Sequence, residues 1–262
     1  DGSRAVVPLA RGSSVVVLDA AGSEIGQVLL GQETPGVHVR RRPVAAASVR
    51  GPNGEVLYVA GHGSGVVWAL DAGSGRLLAE VGVGGGPIAL LPDPSGRAVH
   101  VLAQTIDQLV TVDAATQGIV RRLALPGHPE SGAISAGGLV AVAGSRSDDV
   151  WLVEPSSGGM TRVPVGSRPS GVAFSADGGR LYVANHGDGT VSVVDVPTRS
   201  VLATVETGEG PSAVAFAPPP PDGPTPTATP ATVTPTPTPT IVPTPTAAPA
   251  GVAPPERLPP NT

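Results

Sequence analysis

Cysteine is absent from this 262-residue chain. That excludes a disulfide framework, thiolate metal ligation and covalent haem attachment through Cys-x-x-Cys-His. Charge is sparse as well. Asp, Glu, Lys and Arg make up 14% of the residues and sum to a formal −5, so no broad basic surface can hold a polyphosphate backbone, and no nucleic-acid partner is expected. No run of 18 apolar residues occurs, so no membrane-spanning helix is expected. Amphipathic runs of helical length are missing too, which argues against α/β and helical-repeat architectures. Nucleophile and phosphate motifs are likewise lacking. No Gly-x-Ser-x-Gly elbow stands between a strand and a helix, and Gly82-Val-Gly-Gly-Gly86 has neither the Lys nor the following helix of a phosphate loop. No cofactor is expected.

What the chain does have is internal repetition, the first thing to settle in any sequence. Residues 181–195 align without gaps on residues 57–71, Leu-Tyr-Val-Ala-Asn-His-Gly-Asp-Gly against Leu-Tyr-Val-Ala-Gly-His-Gly-Ser-Gly at their starts. The acidic residue that closes the segment recurs at Asp19, Asp71, Asp113, Glu154 and Asp195, at spacings of 52, 42, 41 and 41 residues. A proline series recurs at Pro43, Pro87, Pro129, Pro169 and Pro211. Five units follow, the first carrying an insertion.

The fifth unit shows the local pattern best. Residues 170–175, 180–185, 190–195 and 199–206 are rich in Val, Leu, Ala and Thr and partly alternate with period two. Between them lie Ala-Asp-Gly-Gly, His-Gly-Asp-Gly and Val-Pro-Thr. These form turns, because Gly and Asp tolerate positive φ and Pro presets its own. Four antiparallel strands in a period of about 40 to 45 residues is the signature of a β-propeller blade. The expected fold is therefore all-β, a propeller of five four-stranded blades over residues 1–217.

The ends of the repeat region suggest closure. Residues 1–4 align with residues 177–180, so the first blade lacks its first strand, while residues 211–216 copy residues 169–174 and are followed by no further strands. The spare strand is expected to pair with residues 4–9 and seal the ring, leaving no long unpaired edge. The other reading is that the chain, which begins with Asp, is a piece of a larger ring.

Residues 218–262 differ in kind. They hold more than half of the chain's 31 prolines and few large apolar groups, so they are expected to form a disordered, polyproline-II-biased stalk or linker. At ~3.1 Å per residue its reach is on the order of 140 Å. Thr-Pro repeats of this kind serve as stalks outside the cell, so an extracellular or cell-envelope location is expected, with a further domain or cell-wall attachment beyond the stalk.

Residues 181–185 with 187–195, preceded by residues 171–180, resemble the YVTN-type β-propeller repeat, whose tetrapeptide stands here as Tyr182-Val-Ala-Asn185 with Ala184 in place of Thr. The second unit keeps Tyr58-Val-Ala60 with Gly61 in place of Asn, and the third and fourth have drifted to Val101-Leu-Ala103 and Val142-Ala-Gly144. The resemblance implies a surface-type propeller scaffold and no particular reaction, although related propellers carry enzymes.

Any chemistry then belongs to the loops. In such a blade the turn after the second strand and the connection to the next blade emerge on one face. The turns carry His62, His186 and Asp188, and the connections end in Arg42, His128 and Arg168, each one residue before the recurring Pro. These six are the candidate ligand-binding residues, and the face they line is expected to be cationic. Shared descent of a repeated turn accounts for His62 and His186 without a metal, and none is expected. Trp68 and Trp151, at one register of the third strand, are read as packing residues between blades or as half-exposed surface positions, and the recurring acidic residue as the cap of the following turn. The run Arg40-Arg-Arg42 in the inserted segment is read as a solvated loop. The favoured function is a non-enzymatic binding or structural scaffold presenting this face to a protein or glycan. The runner-up is a lactonase-like hydrolase or lyase using His62, His186, Arg168 and Asp188.

Overall fold

The computed structural model describes residues 4–9, 14–19, 21–30, 42–51 and 53–217, all within the compact unit Asp1–Gly223. The expected stalk and residues 31–41, which include most of the inserted segment, lie outside the described residues.

Nineteen strands and one 3-10 turn, Gln104–Ile106, are present among the described residues. The first sheet holds β1 (Arg4–Leu9), β2 (Ser14–Asp19) and β3 (Glu24–Leu29). The second holds β4 (Pro43–Gly51), β5 (Gly54–Gly61), β6 (Val66–Asp71) and β7 (Leu77–Gly82). The third holds β8 (Pro87–Pro92), β9 (Ala98–Ala103), β10 (Gln108–Asp113) and β11 (Ile119–Ala124). The fourth holds β12 (Pro129–Ile134), β13 (Val140–Gly144), β14 (Asp149–Glu154) and β15 (Gly159–Pro164). The fifth holds β16 (Pro169–Phe174), β17 (Arg180–Asn185), β18 (Thr190–Asp195) and β19 (Ser200–Glu206). Every pairing is antiparallel between sequence neighbours, as in β9 with β10 and β17 with β18.

The sheets stack through their faces. Because side chains alternate along a strand, β9 sends Val99 and Val101 into the cluster shared with Tyr58, Val67 and Ala69 of the second sheet. Its Leu102 goes the other way, to Val140, Val142 and Val153 of the fourth. Trp68 belongs to the cluster between the first and second sheets, with Val15, Leu57 and Val59. The first strands lie side by side, β4 next to β8, β8 next to β12 and β12 next to β16.

One expectation is corrected. Among the described residues β1 pairs with β2 alone, the first sheet is three-stranded, and 211–217 carries no strand. The closing segment lies instead against the fifth sheet. Ser170 Oγ donates to the Pro211 carbonyl at 2.9 Å, a Cβ on Gly171 would stand 2.8 Å from Ala213 Cα, and the rings of Tyr182 and Phe216 stack at 6.2 Å. The segment thus repeats toward the fifth sheet the approach that β16 makes to the fourth. Covering Gly171 and Tyr182 buries apolar surface locally, and this contact needs no meeting with the other end of the chain.

The recurring acidic residues cap turns as expected. Asp71 Oδ1 accepts the Ser74 amide at 2.7 Å, Asp113 Oδ1 accepts the Thr116 amide at 2.8 Å, and Asp195 Oδ2 accepts the Thr198 hydroxyl. The Ser74 hydroxyl holds the Asp71 carboxyl below its ordinary value, and the Thr116 amide and the Thr198 hydroxyl do the same for Asp113 and Asp195. A carboxyl with a depressed folded-state value contributes stability that is present above its ordinary pKa and is lost as pH falls through the lower folded value. These three carboxyls are therefore expected to contribute a drop in melting temperature below about pH 4. Asp113→Asn, measured by thermal melting, should shrink the drop, and an unchanged profile would remove this turn from the account.

Candidate functional site

The recurring prolines set the loop geometry. Pro43, Pro87, Pro129 and Pro169 each open a first strand at a bulge, where the register shifts within two residues. A proline fits there because it has no N–H to give to the ladder. The residue before it turns back. Arg42, His128 and Arg168 have φ of 34°, 58° and 50°, and the carbonyl at this position accepts an amide from the turn after the second strand. His62 donates to Arg42 at 3.1 Å, Gln104 to Gly86 at 3.0 Å, Ser145 to His128 at 3.2 Å and His186 to Arg168 at 3.2 Å. Connection and turn are thereby tied together on one face in four successive sheets.

The structure brings three of the six candidates together. Arg168, His186 and Asp188 line an open depression of about 650 Å³ over the fifth sheet, together with Glu206, Glu209 and the Gly208–Gly210 backbone. Asp188 Oδ2 accepts the Ser167 amide at 2.6 Å, and Asp148 Oδ1 accepts the Arg168 amide at 2.9 Å. The guanidinium of Arg168 forms no ion pair with either aspartate. His186 is exposed and lies over Gly210, where a Cβ would stand 3.3 Å from its Nε2.

The other three candidates stand apart from this depression. His62 packs onto Gly86 so closely that a Cβ there would be 2.6 Å from Nε2. His128 Nδ1 lies 3.4 Å from Asp107 Oδ1. Arg42 is exposed. Among the described residues no three His, Asp or Glu side chains gather at metal-binding spacing.

The cationic expectation does not hold at the depression, where Arg168 faces three carboxylates, Asp188, Glu206 and Glu209. The two glutamates were not among the candidates. Their only sequence signal is position: they flank Thr207-Gly208 in the connection that leads to Pro211, where Gly210 takes the place that Arg42 and Arg168 hold before their own prolines.

No family model matches the chain. Over 50 residues it is 48% identical to PE-PGRS family protein PE_PGRS18 of Mycobacterium tuberculosis (strain ATCC 25618 / H37Rv), a stretch that covers 19% of this chain and only 11% of that protein. Virginiamycin B lyase from Staphylococcus aureus superposes with a TM-score of 0.68 at 12% identity, over 83% of this chain and 72% of that one. A putative 6-phosphogluconolactonase from Bacteroides uniformis ATCC 8492 superposes with a TM-score of 0.61 at 14% identity, over 80% and 70%. At these identities the likeness is one of fold, and the chain is built as a β-propeller repeat protein.

Proposed function

We propose that this chain is a binding module of the YVTN-repeat kind, working outside the cell, whose loop face takes a polar ligand on a protein or glycan. The observation that carries the reading is the depression over the fifth sheet, with one arginine, one exposed histidine and three carboxylates around an open floor of glycine backbone. Such a rim offers hydrogen-bond acceptors and negative charge, so it favours a ligand bearing amines or many hydroxyls over an anion. The Thr/Pro-rich residues 218–262 would set its distance from the cell or from a further domain.

The test is binding of basic peptides and of an amine-containing glycan panel, at two salt concentrations. The double substitution Glu206→Gln with Glu209→Gln is expected to weaken binding about tenfold, a loss of about 1.4 kcal/mol, and added salt should mimic it. Equal affinity for parent and double variant would sink this reading.

A lactonase-like hydrolase or lyase remains the second reading, favoured by the shared fold of the lyase and the putative lactonase. It is tested by screening lactones against His62→Ala and His186→Ala. A parent activity lost in both variants would replace the first reading.

A further inference from the structure

One register of the sheets is filled differently in the third. Facing pairs between the second and third strands of each repeat are Val6 with Val17, Tyr58 with Ala69, Ala141 with Leu152 and Tyr182 with Val193. In the third sheet they are His100 and Thr111. Both are buried, with relative exposures of 2% and 7%. A polar pair where apolar pairs suffice costs folding free energy unless its groups are satisfied. Here they form a chain. His100 Nδ1 lies 3.0 Å from Thr111 Oγ1, and Nε2 lies 3.4 Å from Asp93 Oδ2. The Ser95 amide, at 2.8 Å, and the Ser95 hydroxyl both donate to Oδ1 of Asp93, which leaves Oδ2 for the ring.

Proton positions follow from this order. Burial works against the charge on Asp93, but the Ser95 hydroxyl, the Ser95 amide and His100 together hold its carboxyl below the ordinary value. As a carboxylate it only accepts, so the ring proton sits on Nε2, and Nδ1 accepts the hydrogen of the Thr111 hydroxyl. Burial also pushes His100 below the usual imidazole value, with Asp93 opposing. All three side chains line a cavity of about 440 Å³ on the face opposite the loop depression, beside Val120, Pro155 and Arg121. Arg121 has no ion-pair partner among the described residues.

We propose that Thr111, His100 and Asp93 form an acyl-transfer site for small carboxylic esters. Thr111 Oγ1 attacks the carbonyl carbon and its proton passes to His100 Nδ1. The tetrahedral adduct collapses by breaking its bond to the alkoxy oxygen, which takes that proton and leaves as the alcohol or phenol. Water, giving a proton to the same Nδ1, then attacks the acyl-threonine; the acid departs and the proton returns to Oγ1. Asp93 is a positioning residue that fixes the ring and stabilises the imidazolium, and Arg121 supplies positive charge for the oxyanion. The cavity volume suits short acyl chains.

The experiment uses the full chain with p-nitrophenyl acetate and butyrate, following hydrolysis and mapping acid-quenched protein for an acyl adduct. An adduct on Thr111 is expected. Turnover should fall about 100-fold or more in Thr111→Val and persist in Thr111→Ser. Asp93→Asn should lower kcat with little change in KM. The ionisable groups lining the cavity are Asp93, His100 and Arg121, and His100 is the one that takes up the proton of the Thr111 hydroxyl. The rate should therefore rise with its deprotonation and level off below the usual histidine range. Circular dichroism melts check that Thr111→Val is folded. Absence of an adduct on Thr111, or equal turnover in parent and folded Thr111→Val, overturns the proposal. The loop-face reading stands or falls separately, because its residues lie on the other face.

Discussion

Trp68→Ala is expected to destabilise the protein by about 3–5 kcal/mol. The side chain is 2% exposed and packs between the first and second sheets with Val15, Leu30, Leu57, Val59 and Leu70. Its ring fills the space over Gly61, where a Cβ would come within 2.5 Å of the indole. Its Nε1 donates to Glu80 Oε1 at 3.2 Å. Truncation therefore removes packed carbon, opens a cavity the flanking strands cannot collapse and takes the partner from Glu80. Trp151 sits at the same register of the fourth sheet but is only half-buried, and its indole N–H already lacks a partner. Trp151→Ala should cost clearly less, by 1 kcal/mol or more. Urea unfolding measures both as midpoint shifts at constant m. A cost below 1 kcal/mol for Trp68→Ala would mean that the first and second sheets do not pack as described. The loss is large against a total stability of about 5–15 kcal/mol.

The repeat architecture was legible because each unit carries its own turn chemistry. β17 and β18 run over 180–185 and 190–195, as the Gly-Gly and Gly-Asp-Gly turns dictate, and β19 differs by one residue. The loop face was legible for a related reason: a residue before a recurring proline has only one place to go. Arg168, His186 and Asp188 meet as a consequence. The fate of 211–217 was not legible. Copying the sequence of β16 shows which strand the segment resembles, whereas its contacts depend on Gly171 and Tyr182 needing cover. The sign of the charge does not follow from the proline-flanking position, because Glu206 and Glu209 lie upstream of it. Asp93, His100 and Thr111 escaped because their separations of 7 and 11 residues match no linear motif. One signal was present, since His100 stands where the second and fifth units have Tyr58 and Tyr182.

Gly96→Ala should cost about 3 kcal/mol or more, and Gly178→Ala about 1 kcal/mol. The two glycines hold equivalent places in the turn between first and second strands, each with φ of +71°. Both amides close the turn at 2.9 Å, Gly96 onto Asp93 and Gly178 onto Ser175. A side chain therefore meets the same left-handed strain at each. Surroundings separate them. A Cβ on Gly96 would stand 2.5 Å from the Arg50 carbonyl oxygen, whereas one on Gly178 would meet only Ser135 Cβ at 3.5 Å, an ordinary contact. Arg50 lies in β4, so relieving the clash means moving backbone of the second sheet against the third. The same turn carries Asp93, and shifting it lengthens the contact of its carboxylate with His100. Ester turnover in Gly96→Ala should accordingly fall further than in Gly178→Ala at a temperature where both are folded. Equal destabilisation of the two variants would show that the Arg50 carbonyl does not bear on this turn, and the packing of the second sheet on the third would need revision.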